Sequence, residues 1–204
     1  MIFLAIAFAK NLIITGADNG KLYIWRNYKL VTYVNAHKGA VNCLEYSDKD
    51  SNILISAGID GTVKLWKIEY KFALNQRAVP AQIVHMSDFS LLNDKSEPLS
   101  DRTHIQAICI GGEIGSHKIL VGNKIGEIFE IVMGETPEQS SINRVMRAND
   151  DEVIISVSCD PTSHFLFTLS RDGLFTIWDI QCALKVLYTK YFHKKGVEVL
   201  AFQT

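Results

Sequence analysis

The stretch LIITGADNGKLYIW, residues 12–25, determines the fold because the chain repeats its pattern three more times. It aligns without gaps on residues 53–66 (ILISAGIDGTVKLW), 118–131 (KILVGNKIGEIFEI) and 165–178 (FLFTLSRDGLFTIW). Each copy has an apolar run, a turn closed by a glycine and a second, alternating run. This is the pattern of a β-hairpin.

Every copy closes its turn with a glycine, at Gly20, Gly61, Gly126 and Gly173. A tight connection between antiparallel strands often needs a positive φ, which only glycine adopts without steric cost. Apolar stretches also precede and follow the hairpins, as residues 30–35 follow the first, so each unit is expected to be a four-stranded antiparallel sheet. Such units at a spacing of about 40 to 45 residues are typical of a β-propeller. The sequence therefore predicts an all-β propeller fold.

The repeat phase divides the chain into blades and one insertion. The predicted blades are residues 1–35, 36–80, 103–146 and 147–190, with the first strand of a further blade at 191–204 and an inserted loop at 81–102. Four blades and one strand would leave unpaired sheet edges, so we expect a fragment of a larger propeller. A compact four-bladed ring is the alternative, and the additional strand argues against it.

Composition excludes several functional classes. The 204 residues are 48% hydrophobic, and 21 Lys and Arg nearly balance 22 Asp and Glu, so no overall field attracts nucleic acid or anionic lipid. The apolar residues 1–9 are too few for a membrane span and lack the basic start of a signal peptide. The four cysteines have no CxxC spacing, which predicts reduced thiols, with Cys109 as a small core residue. No metal or cofactor is expected.

One unit contains residues that could be mistaken for a catalytic triad. His37, Ser56 and Asp60 are the residue types of a Ser-His-Asp hydrolase, but no nucleophile elbow or oxyanion donor accompanies the serine. Together with Trp66 they instead occupy positions resembling the structural tetrad of WD repeats, in which buried polar groups are linked by hydrogen bonds. The sequence therefore predicts a structural role for these residues. A propeller hydrolase that uses His37 and Ser56 is kept as a further functional hypothesis.

The other units keep parts of this set. The equivalent positions hold Thr15, Asn19 and Trp25 in the first unit and Thr168, Asp172 and Trp178 in the fourth. The third unit replaces both the aspartate and the tryptophan with isoleucine. We therefore expect atypical WD repeats.

The order of regular and degenerate units resembles the EMAP-like proteins, the echinoderm microtubule-associated-protein family. Residues 6–25, 36–44 and 54–66 look like consecutive blades of that family, and residues 105–131 are similar to its degenerate blade without the tryptophan. The resemblance implies tandem atypical propellers that bind tubulin or microtubules. It implies a non-enzymatic scaffold of the cytoplasm and cytoskeleton.

Propeller function usually resides in loops at one end of the rigid blades. The repeat phase places seven candidate partner-contact residues at that end: Asp18, Asn19, Lys38, Lys124, Arg171, Lys194 and Lys195. The first functional hypothesis is a tubulin-binding scaffold. The alternative is a general WD-repeat adaptor in a ciliary, centriolar or ubiquitin-ligase complex, which binds other proteins and not tubulin.

Overall fold

A computed structural model describes residues 1–47, 52–72, 78–91, 104–111, 118–134, 139–147, 152–160, 162, 164–180 and 185–192. These residues form four sheets of four strands each. The first two sheets contain β1 (Phe3–Ala9), β2 (Leu12–Ala17), β3 (Lys21–Arg26), β4 (Lys29–Asn35), β5 (Val41–Ser47), β6 (Ile53–Gly58), β7 (Thr62–Phe72) and β8 (Ala78–Ser90). The others contain β9 (Ile105–Gly111), β10 (Lys118–Asn123), β11 (Glu127–Val132), β12 (Ser141–Arg147), β13 (Ile154–Cys159), β14 (Phe165–Ser170), β15 (Leu174–Asp179) and β16 (Lys185–Tyr191).

Every sheet is antiparallel, with its strands side by side in chain order. The four sheets also share an irregularity, because each has a register shift at the start of its first strand. The shifts fall between Phe3 and Ala5, between Val41 and Cys43, at the pairing of Gly122 and Asn123 with β9, and between Ile154 and Ser156. The repeat thus extends to the backbone, and the all-β architecture is consistent with the predicted WD-repeat β-propeller.

The turn glycines adopt the backbone conformation that the sequence predicts. Gly20, Gly61, Gly126 and Gly173 have φ values of 77°, 70°, 81° and 90°. At the first of these turns, a Cβ in place of hydrogen would lie 2.1 Å from the carbonyl oxygen of His37. The prediction of a glycine-dependent hairpin in each repeat is confirmed.

The structure divides into two compact units, of which the first contains the first and second sheets and the second contains the third and fourth. In the first unit, one face of the first sheet, including Ile14, Leu22 and Ile24, packs with Leu54 and Trp66 of the second sheet. All five residues are buried. Burial of this apolar surface is the main stabilising contribution to the unit.

The second unit repeats this packing with its own residues. Leu120 and Ile128 of the third sheet share a buried cluster with Leu166 and Trp178 of the fourth. Close approach depends on small residues, since a Cβ at Gly122 would lie 2.6 Å from a methyl carbon of Ile154. In both units a tryptophan of a third strand packs against the preceding sheet.

The structure corrects two boundaries that the sequence predicts. Residues 78–90 form β8, paired along β7 from Phe72 to Thr62, so the insertion expected at 81–102 does not begin at 81. The alternation needed to recognise this strand is broken by polar residues, including His85 and Asp88. The further blade expected at 191–204 does not begin at 191 either, because Tyr191 pairs with Leu174 as the last residue of β16. Residues 92–103 and 193–204 lie outside the described residues.

Candidate functional site

The predicted tetrad residues of the second sheet form a hydrogen-bonded network. Ser56 Oγ lies 2.8 Å from His37 Nε2 and accepts a hydrogen bond from Trp66 Nε1 at 2.9 Å. His37 Nδ1 in turn lies 2.9 Å from Thr62 Oγ1. A continuous chain of donors results if the Ser56 hydroxyl donates to Nε2 and the Nδ1–H donates to Thr62.

The geometry of this network argues against the catalytic interpretation. Ser56 has no solvent exposure and Trp66 only 5%, so the hydroxyl faces the core rather than a substrate cleft. Its oxygen is also engaged by the indole N–H, which a nucleophile would have to give up. The network links the entry loop of the second sheet to β6 and β7, which is a structural function.

Asp60 is buried at the turn between β6 and β7, with 6% of its surface exposed. Its position is that of the predicted tetrad, directly before Gly61. The neighbour that the structure gives to His37 Nδ1 is Thr62, a residue that the sequence analysis did not single out. The direct bond from His37 to Asp60 stays a prediction.

Equivalent tryptophans make the same bond in two further sheets. Trp25 Nε1 donates to Thr15 Oγ1 at 3.0 Å, and Trp178 Nε1 donates to Thr168 Oγ1 at 2.9 Å. In the fourth sheet, Asp172 accepts hydrogen bonds from the Ser170 hydroxyl and from a backbone N–H in the turn. The sequence positions of these tryptophans predict their hydroxyl partners correctly.

The third sheet replaces the aspartate and tryptophan with a different buried pair. Asn123 Nδ2 donates to Glu127 Oε2 at 3.0 Å, and Asn123 Oδ1 accepts the backbone N–H groups of Ile125 and Glu127 at 3.1 and 2.8 Å. Both side chains are buried, with 0% and 4% exposure. Sequence reasoning missed this pair because it sought the missing residues at their usual positions. The Asn and Glu flanking the turn glycine were the available signal.

The candidate contact residues that the structure describes lie at the glycine-closed turns of their sheets or beside them. In the first unit, Asp18 and Asn19 are in the turn closed by Gly20 and are exposed. The backbone N–H of His37 donates to the Gly20 carbonyl at 2.9 Å, which brings exposed Lys38 to the same turn. The structure therefore groups these three residues.

In the second unit, Lys124 and Arg171 occupy the same position of equivalent turns. Their backbone N–H groups donate to the carbonyls of His104 and Val153, each at 2.9 Å. Arg171 is exposed, whereas Lys124 is half-buried. Lys194 and Lys195 lie outside the described residues.

Metal binding finds no support within the described ranges, where no group of three or more His, Cys, Asp or Glu side chains is arranged to hold an ion. No helix in that part of the chain is long and apolar enough to cross a membrane. Burial, with a smaller contribution from the charge of Glu45, raises the pKa of the Cys43 thiol to about 12. This thiol is therefore an unreactive core group.

Comparison with known proteins identifies the repeats. The family model described as WD domain, G-beta repeat matches residues 28–67 and 140–179. Each match begins near the last strand of one sheet and ends in the third strand of the next, so one sequence repeat contributes to two sheets. The first match contains His37, Ser56, Asp60 and Trp66. The chain thus carries WD repeats, which generally form protein-interaction scaffolds.

Curated relatives share low identity with the chain. Periodic tryptophan protein 2 of Arabidopsis thaliana is 25% identical over 94% of this chain and 18% of its own length. Human DDB1- and CUL4-associated factor 5 is 26% identical over 71% of this chain and 13% of its own length. Eukaryotic translation initiation factor 3 subunit I of Drosophila grimshawi is 25% identical, with coverages of 92% and 52%. The chain spans about half or less of these relatives.

A solved structure supports the fold alone. The crystal structure of the computationally designed Ika4 protein matches with a TM-score of 0.58 at 19% identity. The match covers 87% of this chain and 91% of that one.

Proposed function

We propose that this chain is part of a non-enzymatic adaptor that binds other proteins through the ends of its sheets that hold the glycine-closed turns. In each unit these sheet ends are called the turn end; its described contact residues are Asp18, Asn19 and Lys38 in the first unit and Lys124 and Arg171 in the second.

The observation that carries the proposal is a constant backbone with varied side chains. The four turns share a positive-φ glycine, yet the residue two positions before it is Asp18, Ile59, Lys124 or Arg171. Hydrogen bonds to neighbouring backbone hold three of these residues in place. Within each unit, turns of equivalent backbone that present different side chains suit recognition of a protein surface.

The burial of the polar networks supports a non-enzymatic role, because their side chains are not accessible to a substrate. The serine that a hydrolase would need is fully buried in the second sheet. Its hydrogen bonds to His37 and Trp66 fix the loop that carries Lys38. In this proposal the polar core residues act by positioning the turn end and perform no reaction.

The nature of the partner is a separate question. Two relatives are named for larger assemblies, a CUL4-associated factor and a translation initiation factor subunit, which favours an adaptor of a multiprotein complex. Tubulin is the second candidate, because cations such as Lys38 and Arg171 would attract an acidic partner and the blade order resembles the EMAP-like proteins. If tubulin is the partner, the protein is expected in the cytoplasm, on the cytoskeleton.

Charge reversal tests the turn end with a matched control. Lys38→Glu and Arg171→Glu change exposed turn-end cations, whereas Lys29→Glu and Lys185→Glu change exposed cations at the opposite ends of strand pairs β3–β4 and β15–β16. Purified DDB1 and polymerised tubulin are the two probes. We expect one probe to bind the wild type and both control variants, with capture reduced at least about fivefold by the turn-end variants.

The outcomes separate the hypotheses. Binding of DDB1 supports the adaptor, and co-sedimentation with tubulin supports the cytoskeletal alternative. Equal losses in the turn-end and opposite-end variants, with unchanged melting temperatures, would contradict the assignment of the contact surface.

A further inference from the structure

Two cysteines that are distant in sequence meet between the third and fourth sheets. Cys109, in β9, and Cys159, at the end of β13, have sulfur atoms 3.1 Å apart. Both carry reduced thiols, and both lie at the apolar cluster that joins these sheets. We propose that Cys109 and Cys159 form an inter-sheet disulfide when the protein meets a hydroperoxide.

The backbone holds the two sulfur atoms in position. Cys109 pairs with Leu120 of β10, and Cys159 pairs with Leu166 of β14. Both leucines are fully buried and belong to the same cluster. A disulfide has an S–S length of about 2.05 Å, so the sulfur atoms need to approach by only about 1 Å. We expect rotation of the two cysteine side chains to supply this movement without a change of strand register.

Exposure assigns a role to each thiol. Cys159 is half-buried and can be reached by a small oxidant, whereas Cys109 has 6% of its surface exposed. Cys159 is therefore the thiol that meets the peroxide, and Cys109 is the resolving thiol.

The chemistry balances with one peroxide as the oxidant. The sulfur of Cys159 attacks one peroxide oxygen, the O–O bond breaks, and the first water leaves with the thiol proton, giving a sulfenic acid. The sulfur of Cys109 then attacks the sulfur of Cys159, the S–O bond breaks, and the hydroxyl leaves with the Cys109 proton as a second water. Two thiols lose two electrons in total, and the peroxide gains them.

The bond would constrain the two sheets of the second unit. Cys109 and Cys159 lie in the two sheets whose turns present Lys124 and Arg171. A covalent link between these sheets restricts their separation and stabilises the second unit, mainly by limiting the unfolded chain. The reaction itself does not depend on the proposed adaptor function.

Cys43 provides the matched control within the chain. It is buried in the second sheet, and its thiol has a pKa of about 12 because burial disfavours the thiolate. Cys182 lies outside the described residues and is removed by Cys182→Ser in every protein tested.

The experiment treats the full chain with a small molar excess of hydrogen peroxide and digests it without reduction. We expect a loss of two hydrogen atoms in intact mass, a linked peptide joining Cys109 to Cys159, and a rise in Tm of about 4 to 16 °C that a dithiol reverses. Cys159→Ser should abolish the link and the rise, whereas Cys43→Ser should keep both.

Three results would overturn the proposal. The first is oxidation of Cys159 to the sulfinic acid without a linked peptide. The second is a link between two copies of the chain in place of the internal one. The third is an internal link with a lowered Tm, since the native geometry would then not accommodate the bond.

Discussion

Replacement of Ser56 by alanine removes one oxygen from the centre of the second-sheet network. The indole N–H of Trp66, which is 5% exposed, then loses its acceptor in the core. An unsatisfied buried donor costs about 1–3 kcal/mol. His37 Nε2 loses a second bond, but the ring is half-buried and water can replace part of it, at about 0.5–1.5 kcal/mol. We expect Ser56→Ala to lower the free energy of unfolding by about 2–4 kcal/mol.

The first sheet offers a matched control for this change. Thr15→Val removes the equivalent oxygen, which accepts from Trp25 Nε1 at 3.0 Å. Trp25 is half-buried, so its N–H can bond to water after the substitution. We expect a loss of about 0.5–1.5 kcal/mol.

Urea denaturation followed by circular dichroism gives both values, with hydrogen exchange of residues 53–68 to localise the loss to the second sheet. If Ser56→Ala lowered the free energy of unfolding by no more than Thr15→Val does, burial would not determine how much the network contributes to stability. A variant of normal stability that has lost a hydrolytic activity present in the wild type would contradict the structural role of Ser56.

Burial and turn geometry give three further predictions. Asp60→Ala should destabilise the protein by about 1–3 kcal/mol, because it removes a buried carboxylate and leaves the polar groups around it in the turn without that partner. The measurement is the shift of the urea midpoint, and a wild-type midpoint would contradict this. Trp66→Ala should cost about 3–5 kcal/mol in the same assay, and Trp25→Ala clearly less, because Trp66 belongs to the buried inter-sheet cluster whereas Trp25 is half-buried; equal costs would contradict this comparison. Gly20→Ala should lower the free energy of unfolding by more than about 2 kcal/mol, because the added Cβ would lie 2.1 Å from the His37 carbonyl oxygen at a positive φ. We expect a clearly lower Tm; an unchanged Tm would show that the turn adapts.

Local signals in the sequence are sufficient for the hairpins. The glycines at positions 20, 61, 126 and 173 predict the turns because glycine adopts a positive φ without steric cost. The bond from Trp66 to Ser56 is equally local, since the two residues lie on paired strands of one hairpin. Such features follow from the period of two along each strand.

Features that depend on contacts between distant segments could not be predicted. Cys109 and Cys159 meet only because two sheets pack, so their spacing along the chain gave no sign of a pair. Asn123 and Glu127 are a different case: they lie only four residues apart, but the pair was missed because their residue types differ from those expected at a WD repeat. The path of β8 depends on pairing with β7, which overrides the polar character of its own residues.

Hydrogen exchange of the chain, free and in complex with whichever of DDB1 or tubulin binds, tests the adaptor proposal at its binding surface. We predict protection on binding at residues 17–20, 36–39, 123–126 and 170–173, which contain the described contact residues of the turn end in the two units. We predict no change at the opposite turn of the first sheet, where Asn27 and exposed Tyr28 connect β3 to β4. Protection confined to that opposite turn, with the turn end unchanged, would contradict the proposal that the turn end binds the partner.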